Sequence, residues 1–192
     1  MRVTNPRMRP HVRIQTRYGL IVAEIFTDQA PITARNFLEH VDGGYYDGAR
    51  FYRAVCRDNA AACYPPIQVI QGGIDPSARS APLPPIPHES TQITGLSHLD
   101  GTLSAVRLAP GTAASEFFIV IGDTAALDFG QADFGTAAAP DRSGYAAFGR
   151  VIDGMVVVRE INSGHTGDDR AVAYMQGQAL LPPIEMQISR LP

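Results

Sequence analysis

What most constrains this chain is a set of short runs in which apolar and polar residues alternate, bounded by turn-forming residues. Val12-Arg13-Ile14-Gln15-Thr16 alternates, Tyr18-Gly19 turns, and Leu20 to Ile25 runs back, the signature of a hairpin. Comparable runs follow at 51–55, 67–71, 101–107, 116–121, 145–151 and 184–189. A period of two sends successive side chains to opposite faces of a sheet. A period of 3.6 occurs in two places. Pro31 opens the first, where a missing N–H costs nothing; Ala34, Phe37, Leu38 and Val41 form its apolar face, and Gly43-Gly44 stop it. Asp153-Gly154 begins a shorter one through Met155, Val158 and Ile161, ended by Asn162-Ser163-Gly164. These rules predict about eight strands and two helices. An antiparallel sheet with so few helices must close on itself or form a sandwich to hide its edges.

Composition agrees. The 192 residues suffice for one domain with a substantial core, and 18 Gly with 15 Pro supply many turns. A formal charge of -3 leaves no electrostatic footprint for nucleic acid or an anionic membrane, so neither is expected as a partner. No apolar run approaches the ~20 residues of a membrane span. The basic N-terminus lacks the apolar stretch of a signal peptide, so the chain reads as cytoplasmic, or as periplasmic or secreted if a leader was removed. Residues 1–10 are expected to form a flexible arm and 11–192 a single domain, acting as a monomer.

Chemistry-bearing residues gather around the stretch from Phe51 to Gly73. Strict alternation places Phe51, Arg53 and Val55 on one face and Tyr52 and Ala54 on the other. The run Ile67 to Gln71, stopped by Gly72-Gly73, brings an amide, Gln71, beside Arg53. From this stretch alone, Arg53 is either a rim charge whose stem covers apolar surface or a functional cation. Between the runs lies a polar, Pro-closed excursion carrying both cysteines, Cys56 and Cys63. Their spacing suits neither a CxxC pair nor clustered zinc ligands, leaving two free thiols or a local disulfide.

Residues 75–87 are too proline-dense for a helix or central strand. His88 and His98 have no partner at metal-ligand spacing and read as surface residues. Leu108 to Ser115 is a small-residue loop that can bring backbone groups near a ligand. Ser115 lacks the flanking glycines of a nucleophile elbow, so hydrolytic chemistry is not expected there. Residues 165–180 read as a polar loop.

The order of motifs resembles the cyclophilin family of peptidyl-prolyl isomerases. The matching pieces are Ala30 to Phe37 in the first helix, Phe51-Tyr52-Arg53, Gln71-Gly72-Gly73, Gly101 to Ser104, Ser115 to Ile119, and Phe148 to Val151 with Gly154-Met155. They span about residues 12–190 in family order. The resemblance implies a mainly β fold, a closed eight-stranded antiparallel barrel capped by two α-helices, with a substrate groove on its outer face. By family position Arg53 would be the catalytic arginine and Gln71 the groove glutamine. Phe118, Val69 and Leu127 would line a proline pocket, and Phe51 would support the arginine strand. Arg107, Leu108 and Ala109 would offer backbone contacts to a peptide. The implied partners are proline-containing polypeptides.

Those residue types fit the reaction. Resonance gives an X–Pro amide a rotational barrier of ~18–20 kcal/mol. Rotation proceeds as the nitrogen becomes pyramidal and its lone pair leaves conjugation, so no nucleophile, metal or redox cofactor is needed. A fixed donor aimed at that nitrogen, with an apolar slot holding the ring, stabilises the twisted amide over the planar one. A guanidinium is permanently charged, planar and rich in donors.

Several positions depart from the family pattern. Tyr52 replaces a usual His and is expected to point away from the groove. Glu116 replaces a Gln and puts a carboxylate near the groove, where it would orient Arg53 or partly neutralise it. Ala126 replaces a pocket Trp, Tyr145 replaces a groove His and keeps an aromatic wall, and Gln68 stands for a pocket Phe. Residues 56–66 and 129–143 are insertions. Two functions are therefore carried forward: an isomerase acting on Xaa-Pro bonds and assisting protein folding, and a catalytically weak module that binds proline-containing segments.

Overall fold

The first hairpin forms in register from His11 opposite Glu24 to Thr16 opposite Gly19, joining β1 (His11–Thr16) to β2 (Gly19–Ile25). In this computed structural model, which describes residues 9–56, 59, 67–77, 79–131, 142–167 and 175–192, the remaining strands continue the sheet. They are β3 (Arg50–Val55), β4 (Val69–Gly73), β5 (Thr102–Ala105), β6 (Phe117–Val120), β7 (Ala146–Asp153), β8 (Thr166–Gly167) and β9 (Ala179–Arg190). Their order is β1-β2-β7-β5-β6-β4-β3-β9-β8, every described pairing is antiparallel, and β9 returns to pair with β1. The expected closed eight-stranded barrel is therefore present. β8 is an extra two-residue strand on the flank of β9.

Closure removes every long edge, and alternation fills the interior. Val12 and Ile14 of β1 and Ile21, Ala23 and Ile25 of β2 are wholly buried, while the residues between them face outward. The expected helices are α1 (Pro31–Asp42) and α3 (Met155–Asn162); between them α2 (Thr91–Thr94) is one turn. Ala34, Phe37, Leu38 and Val41 from α1 and Val157, Val158 and Ile161 from α3 join the barrel core. Phe37 meets Phe117 edge-on with ring centroids 5.4 Å apart, and each such buried ring contributes ~1.5–3 kcal/mol.

Helix α1 starts without a capping side chain, because Ala30 precedes Pro31. Buried Glu89 stands in: its Oε2 accepts from the Thr33 N–H at 2.6 Å and the Thr33 hydroxyl at 2.8 Å. That ties the proline-rich connection to the helix and places a negative group at its positive end. Gly154 turns into α3 with φ 91°, and a Cβ there would lie 2.3 Å from the Leu20 carbonyl, so no other residue fits.

Two boundaries differ from expectation. Gly72 and Gly73 do not stop β4; they belong to it, pairing with Phe51 and Arg50. A Cβ on Gly72 would lie 2.5 Å from the Arg50 carbonyl, and one on Gly73 2.5 Å from the Ser115 carbonyl. The pair lets neighbouring chain segments approach closely. The last strand also starts earlier than expected, so Ala179 and Leu180 are strand rather than loop. Most of the expected arm at 1–10 lies outside the described residues; Arg9 is held, donating to Asp28, Gln29 and Glu24. Cys56 is half-buried after β3, whereas Cys63, and with it the choice between free thiols and a disulfide, lies outside the described residues. Among the described residues, no helix is long and apolar enough to cross a membrane.

Candidate active site

Three neighbouring strands bring the polar and apolar halves of the site together. Arg53 on β3 is opposite Gln71 on β4, and Gln71 is opposite Phe118 on β6. Directly opposed residues in an antiparallel pair share a face with Cβ atoms ~4.5–5.5 Å apart. Cation, amide and aromatic ring thus form one row across the outside of the barrel.

That row depends on an irregularity in β3. Its register against both β4 and β9 shifts between Phe51 and Arg53, leaving Tyr52 as an extra residue. Phe51 points into the barrel, wholly buried and edge-on to Phe117 at 6.0 Å. The expectation that Phe51 and Arg53 share a face fails for this reason, and Phe51 is not among the residues brought together outside. Tyr52, expected to face away, has its hydroxyl in the site instead. A bulge adds one residue, and every side chain after it changes face.

The polar half is a chain of hydrogen bonds. Arg53 donates from Nη1 to Gln71 Oε1 at 2.8 Å, and from Nε and Nη2 to Gln178 Oε1 at 2.9 and 2.7 Å. Gln71 donates from Nε2 to the Tyr52 hydroxyl at 2.9 Å and to Glu116 Oε1 at 3.3 Å. The Tyr52 hydroxyl donates in a close contact to the same carboxylate oxygen. Burial first, and the Glu116 charge second, push the Tyr52 phenol well above its ordinary value, keeping it a neutral donor. Gln71 thus spans the two charged groups, its oxygen toward the cation and its nitrogen toward the anion. Glu116 itself is partly exposed.

The apolar half is a cluster of its own, outside the barrel core. Val55, Val69, Phe118, Val120 and Leu127 are buried there, with Val106, Ala126 and Tyr145 packed at the margin. Leu127 ends a 3₁₀ turn, Ala125–Leu127, which drops it beside β6. Tyr145 meets Phe118 edge-on at 5.3 Å. Beneath Phe118 lies His98, stacked at 6.1 Å with 14° between the planes. His98 is wholly buried rather than on the surface: Nδ1 lies 2.6 Å from Asp128 Oδ1 and Nε2 2.9 Å from the Ser104 hydroxyl.

The third expected group, at 107–109, behaves differently. The Arg107 side chain is buried, with Nε donating to the Gly144 carbonyl at 2.8 Å and the guanidinium 5.3 Å from the Tyr145 ring centroid. It braces the aromatic wall from behind. Leu108 is 65% exposed and Ala109 is exposed too. Both of their N–H groups donate to the Thr112 hydroxyl at 3.1 Å, so these two amides turn toward their own loop rather than outward.

Sequence reasoning misses Gln178, Tyr52 and His98. Gln178 lies 125 residues from Arg53 in a stretch that reads as a polar loop, and nothing local marks it. His98 finds partners 30 and 6 residues away, outside any metal-ligand spacing. Tyr52 could be suspected only from the bulge, which alternation does not announce.

Comparison with known proteins is consistent along the chain. The family model described as cyclophilin type peptidyl-prolyl cis-trans isomerase/CLD matches residues 11–176. The chain is 34% identical over 158 residues to peptidyl-prolyl cis-trans isomerase A of Dickeya dadantii, covering 81% of this chain and 73% of that protein. It is 34% identical over 159 residues to peptidyl-prolyl cis-trans isomerase B of Escherichia coli, covering 81% and 86%. Among solved structures, a cyclophilin type peptidyl-prolyl cis-trans isomerase of Cryptosporidium parvum superimposes with a TM-score of 0.70. It covers 96% of this chain and 98% of its own at 22% identity.

Proposed function

This chain belongs to the cyclophilin-type peptidyl-prolyl cis-trans isomerases, and on that premise we propose that the outer row of Arg53, Gln71 and Phe118 carries out the isomerisation. The observation that carries the reading is the register of Arg53 with Gln71 and of Gln71 with Phe118, which sets a fixed guanidinium beside an apolar cluster. A proline ring seats against Phe118, Leu127 and Tyr145, with Val69 in the floor. This holds one side of the amide while the other turns. Arg53 donates toward the amide nitrogen as its lone pair leaves conjugation. That bond forms only with the twisted amide, so it lowers the barrier rather than merely binding substrate. The substrates are proline-containing segments of unfolded or flexible chains, and the activity assists folding.

An exchange NMR or protease-coupled assay on an Xaa-Pro peptide tests this. The wild type accelerates exchange and Arg53→Ala abolishes most of the acceleration; a wild type no faster than the uncatalysed reaction would falsify the proposal. A second reading, a module that binds proline segments without useful turnover, draws support from Glu116. Its carboxylate joins the Gln71 network that also holds Arg53, a network in which a neutral amide would leave the guanidinium's field undiminished. Peptide binding without faster exchange selects that reading.

A further inference from the structure

The guanidinium of Arg53 is held on two edges from two distant parts of the chain. Gln71 takes Nη1, and Gln178, on the approach to β9, takes Nε and Nη2 with a single oxygen. We propose that Gln178 is the positioning residue that sets the plane and direction of the Arg53 guanidinium, with Asn59 orienting Gln178 in turn. This rests on Arg53 being the catalytic donor.

Gln178 is 1% exposed, and its amide has bonds on both ends. Its Nε2 donates to the Asn59 carbonyl at 3.2 Å, which leaves Oε1 as the end facing Arg53. Its backbone is anchored too: its N–H donates to the Met175 carbonyl at 2.9 Å, and its own carbonyl accepts from the Ala54 N–H at 3.0 Å, one residue past Arg53. Asn59 grips the same junction. Its Nδ2 reaches the carbonyls of Ala54 at 3.0 Å and Gly177 at 3.3 Å and the Thr166 hydroxyl at 3.2 Å, while its Oδ1 accepts the Cys56 N–H at 2.8 Å.

The geometry fits positioning better than simple satisfaction of a buried amide. An acceptor on Nη1 restrains one edge of the guanidinium. A second acceptor on the Nε–Nη2 edge fixes the plane. Catalysis by a donor aimed at a developing lone pair is sensitive to such aim, because misplacement costs rate before it costs affinity. An amide suits this role because it holds the cation without cancelling its charge, as a carboxylate would.

The test pairs turnover with a signal that does not depend on turnover. Gln178→Met keeps the volume and removes the acceptor. Asn59→Ala keeps the backbone carbonyl that Gln178 donates to but removes the side chain that anchors it to Ala54, Cys56, Thr166 and Gly177, and serves if the first variant fails to fold. Steady-state kinetics on an Xaa-Pro peptide should give kcat about tenfold lower for Gln178→Met and about threefold lower for Asn59→Ala. Peptide Kd should change by less than about twofold, because the apolar pocket is intact. Independently, the Arg53 Nε–H resonance should exchange with water at least about tenfold faster in both variants. Unchanged kcat, a Kd weakened in proportion to kcat, or an Nε–H that stays protected in Gln178→Met overturns the inference. If the wild type proves inactive, the proposed isomerisation falls, and the Nε–H signal still decides whether Gln178 fixes the guanidinium.

Discussion

The two halves of the outer face are built by different means. The apolar half follows from regular strands: Val69, Phe118 and Val120 sit at outward positions of β4 and β6, and one 3₁₀ turn adds Leu127. The polar half follows from an irregularity and from long reach. A bulge turns Tyr52 and Arg53 outward together, Gln178 arrives from 125 residues along the chain, and Asn59 from just past the end of β3. Burial of side chains stabilises the first and hydrogen-bond geometry the second. The two halves should therefore fail differently when altered.

The largest effect is expected at Arg53. Removing a donor that acts on the transition state costs about 10²–10³ in rate, roughly 2.7–4 kcal/mol. Arg53→Ala should show that loss in kcat, with peptide Kd close to wild type and a stability loss of only about 1–2 kcal/mol from the buried Gln71 and Gln178 oxygens that lose their donor. Leu127→Ala should show the reverse. A buried Leu→Ala costs about 2–5 kcal/mol of stability, read by urea unfolding, and it should weaken peptide binding while kcat for bound peptide holds. If Arg53→Ala destabilises the fold as much as Leu127→Ala, the halves are not separable and the contrast breaks.

That difference in construction also explains what is legible in the sequence. The strands and both main helices follow from periodicity, because burial enforces the pattern residue by residue. Periodicity leaves a barrel or a sandwich open; closure as a barrel and the pocket roles of Val69, Phe118 and Leu127 are legible only through the resemblance in motif order. Tyr52 goes to the wrong face because alternation carries no sign of an inserted residue. Backbone contacts to a peptide are expected at 107–109; of those groups the Leu108 and Ala109 N–H donate to the hydroxyl of Thr112, three to four residues on, a local competition that side-chain patterning does not reveal. Gln178 and His98 depend on tertiary contacts alone. A buried amide beside a guanidinium looks in sequence like any loop glutamine.

A smaller effect sharpens the polar half. Tyr52→Phe keeps the ring packed and removes the hydroxyl between Gln71 and Glu116. The loss should be about 1–2 kcal/mol of stability, since a carboxylate oxygen and an amide N–H each lose a partner. Turnover should fall only a few-fold, because Gln71 Oε1 still faces Arg53. A collapse of turnover comparable to Arg53→Ala would mean that Tyr52 takes part directly rather than through Gln71.

The smallest effect concerns a buried polar group built without such satisfaction. His40 on α1 is wholly buried between Tyr45 and Tyr46; its Nδ1 meets the Asn36 carbonyl at 2.8 Å, while Nε2 is, among the described residues, a buried nitrogen with no partner. Burial holds its pKa below the usual 6.5, against the opposing pull of the Asn36 carbonyl and the Glu39 charge. Well above about pH 6.5 the ring is neutral in both folded and unfolded chains, and its protonation contributes nothing to the pH dependence of stability. As pH falls below that, the unfolded chain takes up the proton first, so stability declines until the folded ring is protonated as well. Urea unfolding at pH 7.5 and 5.5 should show the wild type losing up to about 1 kcal/mol more than His40→Leu. An equal loss in both would place the acid sensitivity in another group that titrates in that window, and not in Asp42, whose bond to Arg190 holds its carboxyl below the ordinary range, so that its contribution is lost only below about pH 4. The contrast between a satisfied and an unsatisfied interior would then not hold.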